Sequence, residues 1–238
     1  MTDGLKWAVF ALCLALAASR FQAVRRGGSR ALFTGFLLVA ATVALNIGSA
    51  YGAVDAVLGG RNYANLLLHL MLYGVFVILG FKVAAAYRSR LGSRLTRGPA
   101  GMVVLAVLAA VMTAFFFASD VPTSSVGLGR FAGQRMVQLY SQAALLYPAY
   151  VAAVLLGPVA AAPFRPGRPL SRAAGALLGI GFVLVLVSTG MAFTTCFGPM
   201  FARLNYGALL SVAVGLTLVR FDQRLNRRRR SNPLRSEQ

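Results

Sequence analysis

Seven stretches of the chain are almost purely apolar: Trp7 to Ser19, Ala31 to Tyr51, Leu66 to Tyr87, Met102 to Ser119, Met136 to Ala162, Ala173 to Phe197 and Phe201 to Phe221. A helix that crosses a bilayer needs about 20 mainly apolar residues, and it satisfies its own backbone polar groups where no water can. The linkers between the stretches, such as Arg88 to Gly101 and Phe164 to Arg172, carry the Gly, Pro, Arg and Ser of loops. The pattern therefore predicts an all-α polytopic membrane helix bundle with seven transmembrane helices. Residues 1–221 form that domain, and 222–238 form a polybasic cytoplasmic tail expected to be disordered.

Polar positions inside the apolar stretches are not evenly spread. Asn46, Ser49 and Tyr51 lie late in the second stretch, and Asn62, Asn65, His69 and Tyr73 open the third. Gln138, Tyr140, Ser141, Gln142 and Tyr147 open the fifth, while Ser188, Thr189, Thr194 and Thr195 close the sixth. The opposite halves, such as Met102 to Ala110 and Ala173 to Val187, hold no strongly polar side chain. A polar group facing hydrocarbon is costly, so these residues turn toward the bundle or toward water. Two arrangements fit. One is a water-accessible polar bowl, in which Asn46, Asn62, Asn65, His69, Tyr73, Gln138, Gln142 and Ser188 meet a small extracellular ligand. The other is interhelical hydrogen bonding with no ligand at all. Asn65, His69 and Tyr73 follow one another at four-residue spacing, so they share a helical face, with Asn62 close to it. His69 is the only histidine, and an unperturbed histidine titrates at about 6.5. Pro148 removes a backbone donor from the fifth stretch. Gly175 and Gly179 are spaced for close helix approach in the sixth.

Composition and charge add compartment and orientation. The chain is 58% hydrophobic and 12% charged, against about 25% charged in a soluble domain. Its net charge of +19 invites a nucleic-acid reading. The basic residues, however, lie in short linkers and the tail, where a membrane surface is the partner and nucleic acid is not. Nineteen of the 24 basic residues fall after the first, third, fifth and seventh stretches or at their ends, and five fall on the other side. The positive-inside rule then puts the N-terminus outside and the C-terminus in the cytoplasm. A cleaved signal peptide would carry its charge ahead of the first apolar run. Here one lysine precedes it and four arginines follow, so it is read as a retained helix. Arg227, Arg228, Arg229 and Arg230 form a juxtamembrane patch suited to anionic cytoplasmic lipids. The excess of Arg over Lys and the abundance of Ala and Gly point to a GC-rich bacterial source and its cytoplasmic membrane.

Chemistry-bearing motifs are missing. No HExxH, GxSxG or GxxxxGK(S/T) occurs. The acidic residues, Asp3, Asp55, Asp120, Asp222 and Glu237, fall in linkers, tails or span ends, where solvation is the plain expectation. Asp55 and Asp120 are also placed where they could help bind a cation. With no second histidine and no acid or cysteine at ligand spacing to His69, neither a metal nor a cofactor is expected. An enzyme is not expected either. Cys13 and Cys196 are read as small buried hydrophobes.

The stretch from Asp55 through Gly59, Gly60 and Asn62 to His69 resembles an actinobacterial seven-helix integral membrane family of uncharacterised function, often labelled as transporters. Its Asn-x-Ala-x-Leu-x-x-His pattern is matched here by Asn62, Ala64, Leu66 and His69. The run Leu145 to Tyr150, the Arg168 to Arg172 segment and the Gly-rich sixth stretch are similar too. The layout is also similar to the seven-helix sensor region ahead of some bacterial histidine kinases. Residues and resemblance together lead to two expectations. One is a receptor-like or accessory protein with an outward-facing polar pocket and a membrane protein partner. The alternative is a small-solute transporter.

Overall fold

The computed structural model describes all residues except 1–2, 26–29, 165–167, 195–198 and 231–238. The chain is all-helical, 87% helix, with no strand among the described residues. The helices are α1 (Asp3–Arg25), α2 (Arg30–Ala44), α3 (Gly48–Val57), α4 (Tyr63–Ala86), α5 (Arg90–Arg97), α6 (Pro99–Phe117), α7 (Arg135–Ala160), α8 (Pro169–Phe193) and α9 (Pro199–Arg230). Proline opens α6 and α8, where its fixed φ suits the first turn and its missing N–H costs nothing.

Among the described residues, four segments are long and apolar enough to cross a membrane: α4, α6, α7 together with its following turn, and α8. The bent pair α2–α3 makes five if it is a single span. In α6 the mean hydropathy is 2.5, yet only 17% of the span is buried. Val103 and Phe117 are 60% and 65% exposed on it. A surface this apolar and continuous suits lipid rather than water. The apolar stretches described within α1 and α9, Lys6–Ser19 and Arg203–Val219, are shorter.

The second apolar stretch is not one straight helix. It breaks after Ala44, and α2 and α3 meet at 98°. The cause is local. In a continuous helix the Asn46 N–H would bond the Thr42 carbonyl. Here the Asn46 side-chain Nδ2 takes that carbonyl at 3.0 Å, and the Asn46 backbone N–H shifts to Val43 O. Lys6 Nζ then donates to Asn46 O at 3.1 Å, and Ile47 is extended before α3 begins. The Arg88–Gly101 linker likewise differs from a plain loop, because it contains α5.

The chain divides into two compact units, residues 1–81 with 96–148, and residues 82–95 with 149–238. In the first, α1 packs on α2, and Leu45, Tyr51, Ala64 and Leu68 form a buried cluster. Gly35 faces Ile78 and Gly74 faces Leu38, so α2 and α4 approach through a glycine on each. In the second unit α8 runs along α9 and packs on the turn Ala162–Phe164. A Cβ on Gly181 would sit 2.6 Å from Val212, and one on Gly215 would sit 2.7 Å from Leu178. Only hydrogen fits at either place. Gly175 is equally tight against Ala162, whereas Gly179 has nothing nearer than Val159 at 3.9 Å. The close approach of α8 to α9 therefore runs through Gly181 and Gly215.

Candidate functional site

Within the first unit, the polar face that opens α4 meets Tyr140 of α7. Asn65 is buried, 3% exposed, and its Oδ1 accepts a hydrogen bond from Tyr140 Oη at 2.7 Å. His69 Nδ1 lies 2.9 Å from the Asn65 carbonyl oxygen and 2.8 Å from Tyr140 Oη. A carbonyl can only accept, and the one hydroxyl proton of Tyr140 is committed to Asn65. Nδ1 must then carry the ring proton of the neutral histidine, a tautomer assigned from its partners. Nε2 keeps its lone pair, and no protein partner reaches it among the described residues. The Tyr140 ring meets the imidazole edge-on, with centroids 5.3 Å apart, so ring tilt as well as tautomer is fixed. Two turns along α4 from Asn65, buried Tyr73 donates to the Ala143 carbonyl at 2.7 Å and packs against Tyr147 at 5.0 Å. That carbonyl sits beside Ala144, whose usual partner Pro148 has no N–H to give.

Asn62 belongs to a different cluster. It stands before α4 with φ of 60°, after Gly59 and Gly60 at 106° and 70°. These left-handed positions suit Gly, and Asn tolerates them. The turn they make brings Asn62 back over the end of α3. Asn62 Oδ1 accepts from Tyr51 Oη and Ser125 N, while its Nδ2 donates to Val121 O and Thr123 O. All four side-chain hydrogen-bonding positions are taken. Asp55 completes this clasp. It is fully buried, and its carboxylate accepts from Asn62 N at 3.0 Å, Ala64 N at 3.0 Å and Ser124 Oγ. Solvation was expected for Asp55 and does not hold. The carboxylate is an internal acceptor that ties α3, the start of α4 and the 121–125 segment together.

The remaining expected site residues lie apart. Asn46 closes the α2 break. Gln138 Nε2 donates to Ala132 O at 3.0 Å, ahead of its own helix. Gln142 is half-buried one turn further along α7. Ser188 belongs to the second unit, is buried, and donates to Val185 O at 2.9 Å within α8. Arg227 to Arg230 end α9. Asn65, His69 and Tyr73 thus share one face with Tyr140 and Tyr147 opposite, and Asn46, Asn62 and Gln138 serve other junctions. No group of three His, Cys, Asp or Glu side chains suited to a metal gathers among the described residues.

Comparison with known proteins finds no matching family model, no matching characterised protein and no matching solved structure.

Proposed function

We propose that the chain is a receptor-like or accessory protein of the bacterial cytoplasmic membrane, with seven spans, N-out and C-in, whose outer half takes a small polar ligand beside His69. The observation that carries this reading is the His69 ring. Its Nδ1 is committed to Asn65 and Tyr140, and Nε2 is left as an acceptor with no protein partner among the described residues. A fixed ring presenting one lone pair is what recognition of an N–H or O–H donor requires. With the N-terminus outside, α4 runs inward from Tyr63, so His69 falls in its outer half. The apolar halves of α6 and α8 give no polar route onward. The basic end of α9, Arg227 to Arg230, anchors the cytoplasmic side on anionic lipid, and a membrane protein partner would carry any response.

A small-solute transporter is the second reading. The observation favouring it is the 98° break between α2 and α3, because transporters often build their sites at broken helices. Such sites use backbone carbonyls freed by the break. Here the carbonyls of Ala41, Val43, Ala44 and Ile47 accept backbone N–H groups, Thr42 O accepts Asn46 Nδ2, and Asn46 O accepts Lys6 Nζ. Of this stretch only Leu45 O has no partner among the described residues, and that occupancy weighs toward a capped structural bend.

The test is a thermal-shift screen of small polar solutes on the purified chain, with His69→Gln in parallel. A solute that stabilises the wild type and not the variant is expected. The same solute should not accumulate in sealed proteoliposomes. Uptake would establish the transporter reading, and equal stabilisation of both proteins would remove His69 from the site.

A further inference from the structure

We propose that α5 carries a binding site for the headgroup of an anionic phospholipid, formed by Arg90, Ser93 and Arg94 with Leu91 at its flank. This does not rest on the reading of His69. The helices before and after α5, α4 and α6, are both long and apolar enough to cross a bilayer. The short linker 87–98 that joins them must lie at a membrane surface, whatever the number of other spans. Its basic content assigns that surface to the cytoplasm.

One face of α5 is fixed to the protein. Gly92 is buried, and a Cβ there would stand 3.1 Å from Leu155 of α7 and 2.9 Å from Ser89 Oγ. Ser89 Oγ accepts the Gly92 N–H at 3.0 Å, and Tyr150 Oη of α7 donates to Leu95 O at 2.7 Å. The opposite face is open. Arg90, Leu91, Ser93 and Arg94 are exposed and line a shallow, open depression on that face. Neither Arg90 nor Arg94 has an acidic or hydrogen-bonding partner among the described residues. In the same unit, Arg168 pairs with Asp222 at 3.8 Å.

Two arginines one turn apart on a helix have Cβ atoms about 5–6 Å from each other, and their planar guanidinium forks match phosphate oxygens. The Ser93 hydroxyl supplies a further donor. Leu91, 67% exposed, lies to one side of the arginines, where an interfacial helix dips its apolar edge below the headgroups. A free phosphate would use the arginines and leave Leu91 idle. A phospholipid uses both, and the site is therefore assigned to lipid.

The full chain in a nonionic detergent can be titrated with dioctanoyl phosphatidylglycerol, dioctanoyl phosphatidylcholine and inorganic phosphate, with binding read by native mass spectrometry. The wild type should bind phosphatidylglycerol in preference to the other two. Arg90→Gln/Arg94→Gln should bind it roughly thirtyfold more weakly, and Arg90→Lys/Arg94→Lys should fall between. Replacing Arg227 to Arg230 by Gln should leave the α5 affinity unchanged. These side chains are exposed, so unchanged lipid-free melting of the double Gln variant would show that the fold is intact. If its melting falls, the Lys pair, which keeps the charge, carries the test. Unchanged affinity in the double Gln variant would overturn the proposal. So would loss of the binding in the tail variant alone, or phosphate binding as tightly as the lipid.

Discussion

Replacing Asp55 by Asn keeps shape and volume and changes one oxygen into an NH2 group. The native carboxylate accepts from two backbone N–H groups, Asn62 and Ala64, and from Ser124 Oγ. If the new NH2 takes the place of Oδ1, it faces the Ala64 N–H. If it takes the place of Oδ2, it faces the Asn62 N–H, and only Ser124 can turn its hydroxyl to suit. Either way one backbone donor is left buried without an acceptor, which costs about 1–3 kcal/mol. The surviving bonds also weaken from charge-assisted to neutral, by roughly 1 kcal/mol more. A loss of about 3 kcal/mol corresponds to roughly 6–12 °C in Tm for a chain of this size. The assay is thermal loss of helical circular dichroism in nonionic detergent. Asp120→Asn is the control, since Asp120 is exposed and its change should stay within about 0.5 kcal/mol. An Asp55→Asn protein that melts with the wild type, or an Asp120→Asn protein that falls as far, would refute the clasp.

Gly181→Leu and Gly215→Leu should each destabilise by about 2 kcal/mol or more by wedging α8 from α9, while Gly179→Ala should be near neutral; equal losses at all three would contradict the packing described. Tyr140→Phe should cost about 1–2 kcal/mol, because Asn65 Oδ1 loses its donor and His69 Nδ1 loses an acceptor; an unchanged melt would mean the three groups are not joined. His69→Gln should insert and accumulate normally yet lose any response to ligand, and degradation of the variant would assign the ring to helix packing instead. A phosphatase reporter fused after Gln238 should stay inactive in bacterial cells, and high activity would reverse the orientation.

Helix positions were legible because apolar length is a local property. The stretch Met102 to Ser119 lies within about three residues of α6 at either end, and Pro99 marks that start. The break in the second stretch was not legible. Asn46 reads as one more polar residue near a span end, and nothing local says that its side chain displaces its own backbone from Thr42. Asp55 was misjudged for a related reason. Its acidic type and linker position suggested solvation, whereas one partner, Ser124, lies 69 residues away. Gly59, Gly60 and Asn62 were the available signal, since three residues tolerant of positive φ foretell a tight return over the preceding helix. Four-residue spacing did reveal the Asn65, His69 and Tyr73 face. It could not name Tyr140, which is 75 residues from Asn65, because spacing orders one helix and says nothing about its neighbour. Helix α5 was hidden by Gly92 and Ser93, which look like loop residues. Gly92 is there because Leu155 lies so close.

The chain contains one histidine, so selective 15N-histidine labelling of the purified protein gives an NMR spectrum from His69 alone. The neutral ring should show a protonated Nδ1, hydrogen-bonded to Asn65 and Tyr140, and an unprotonated Nε2 whose resonance moves when a stabilising solute is added. A neutral ring protonated at Nε2 would contradict the fixed Nε2 acceptor on which the proposed ligand site depends.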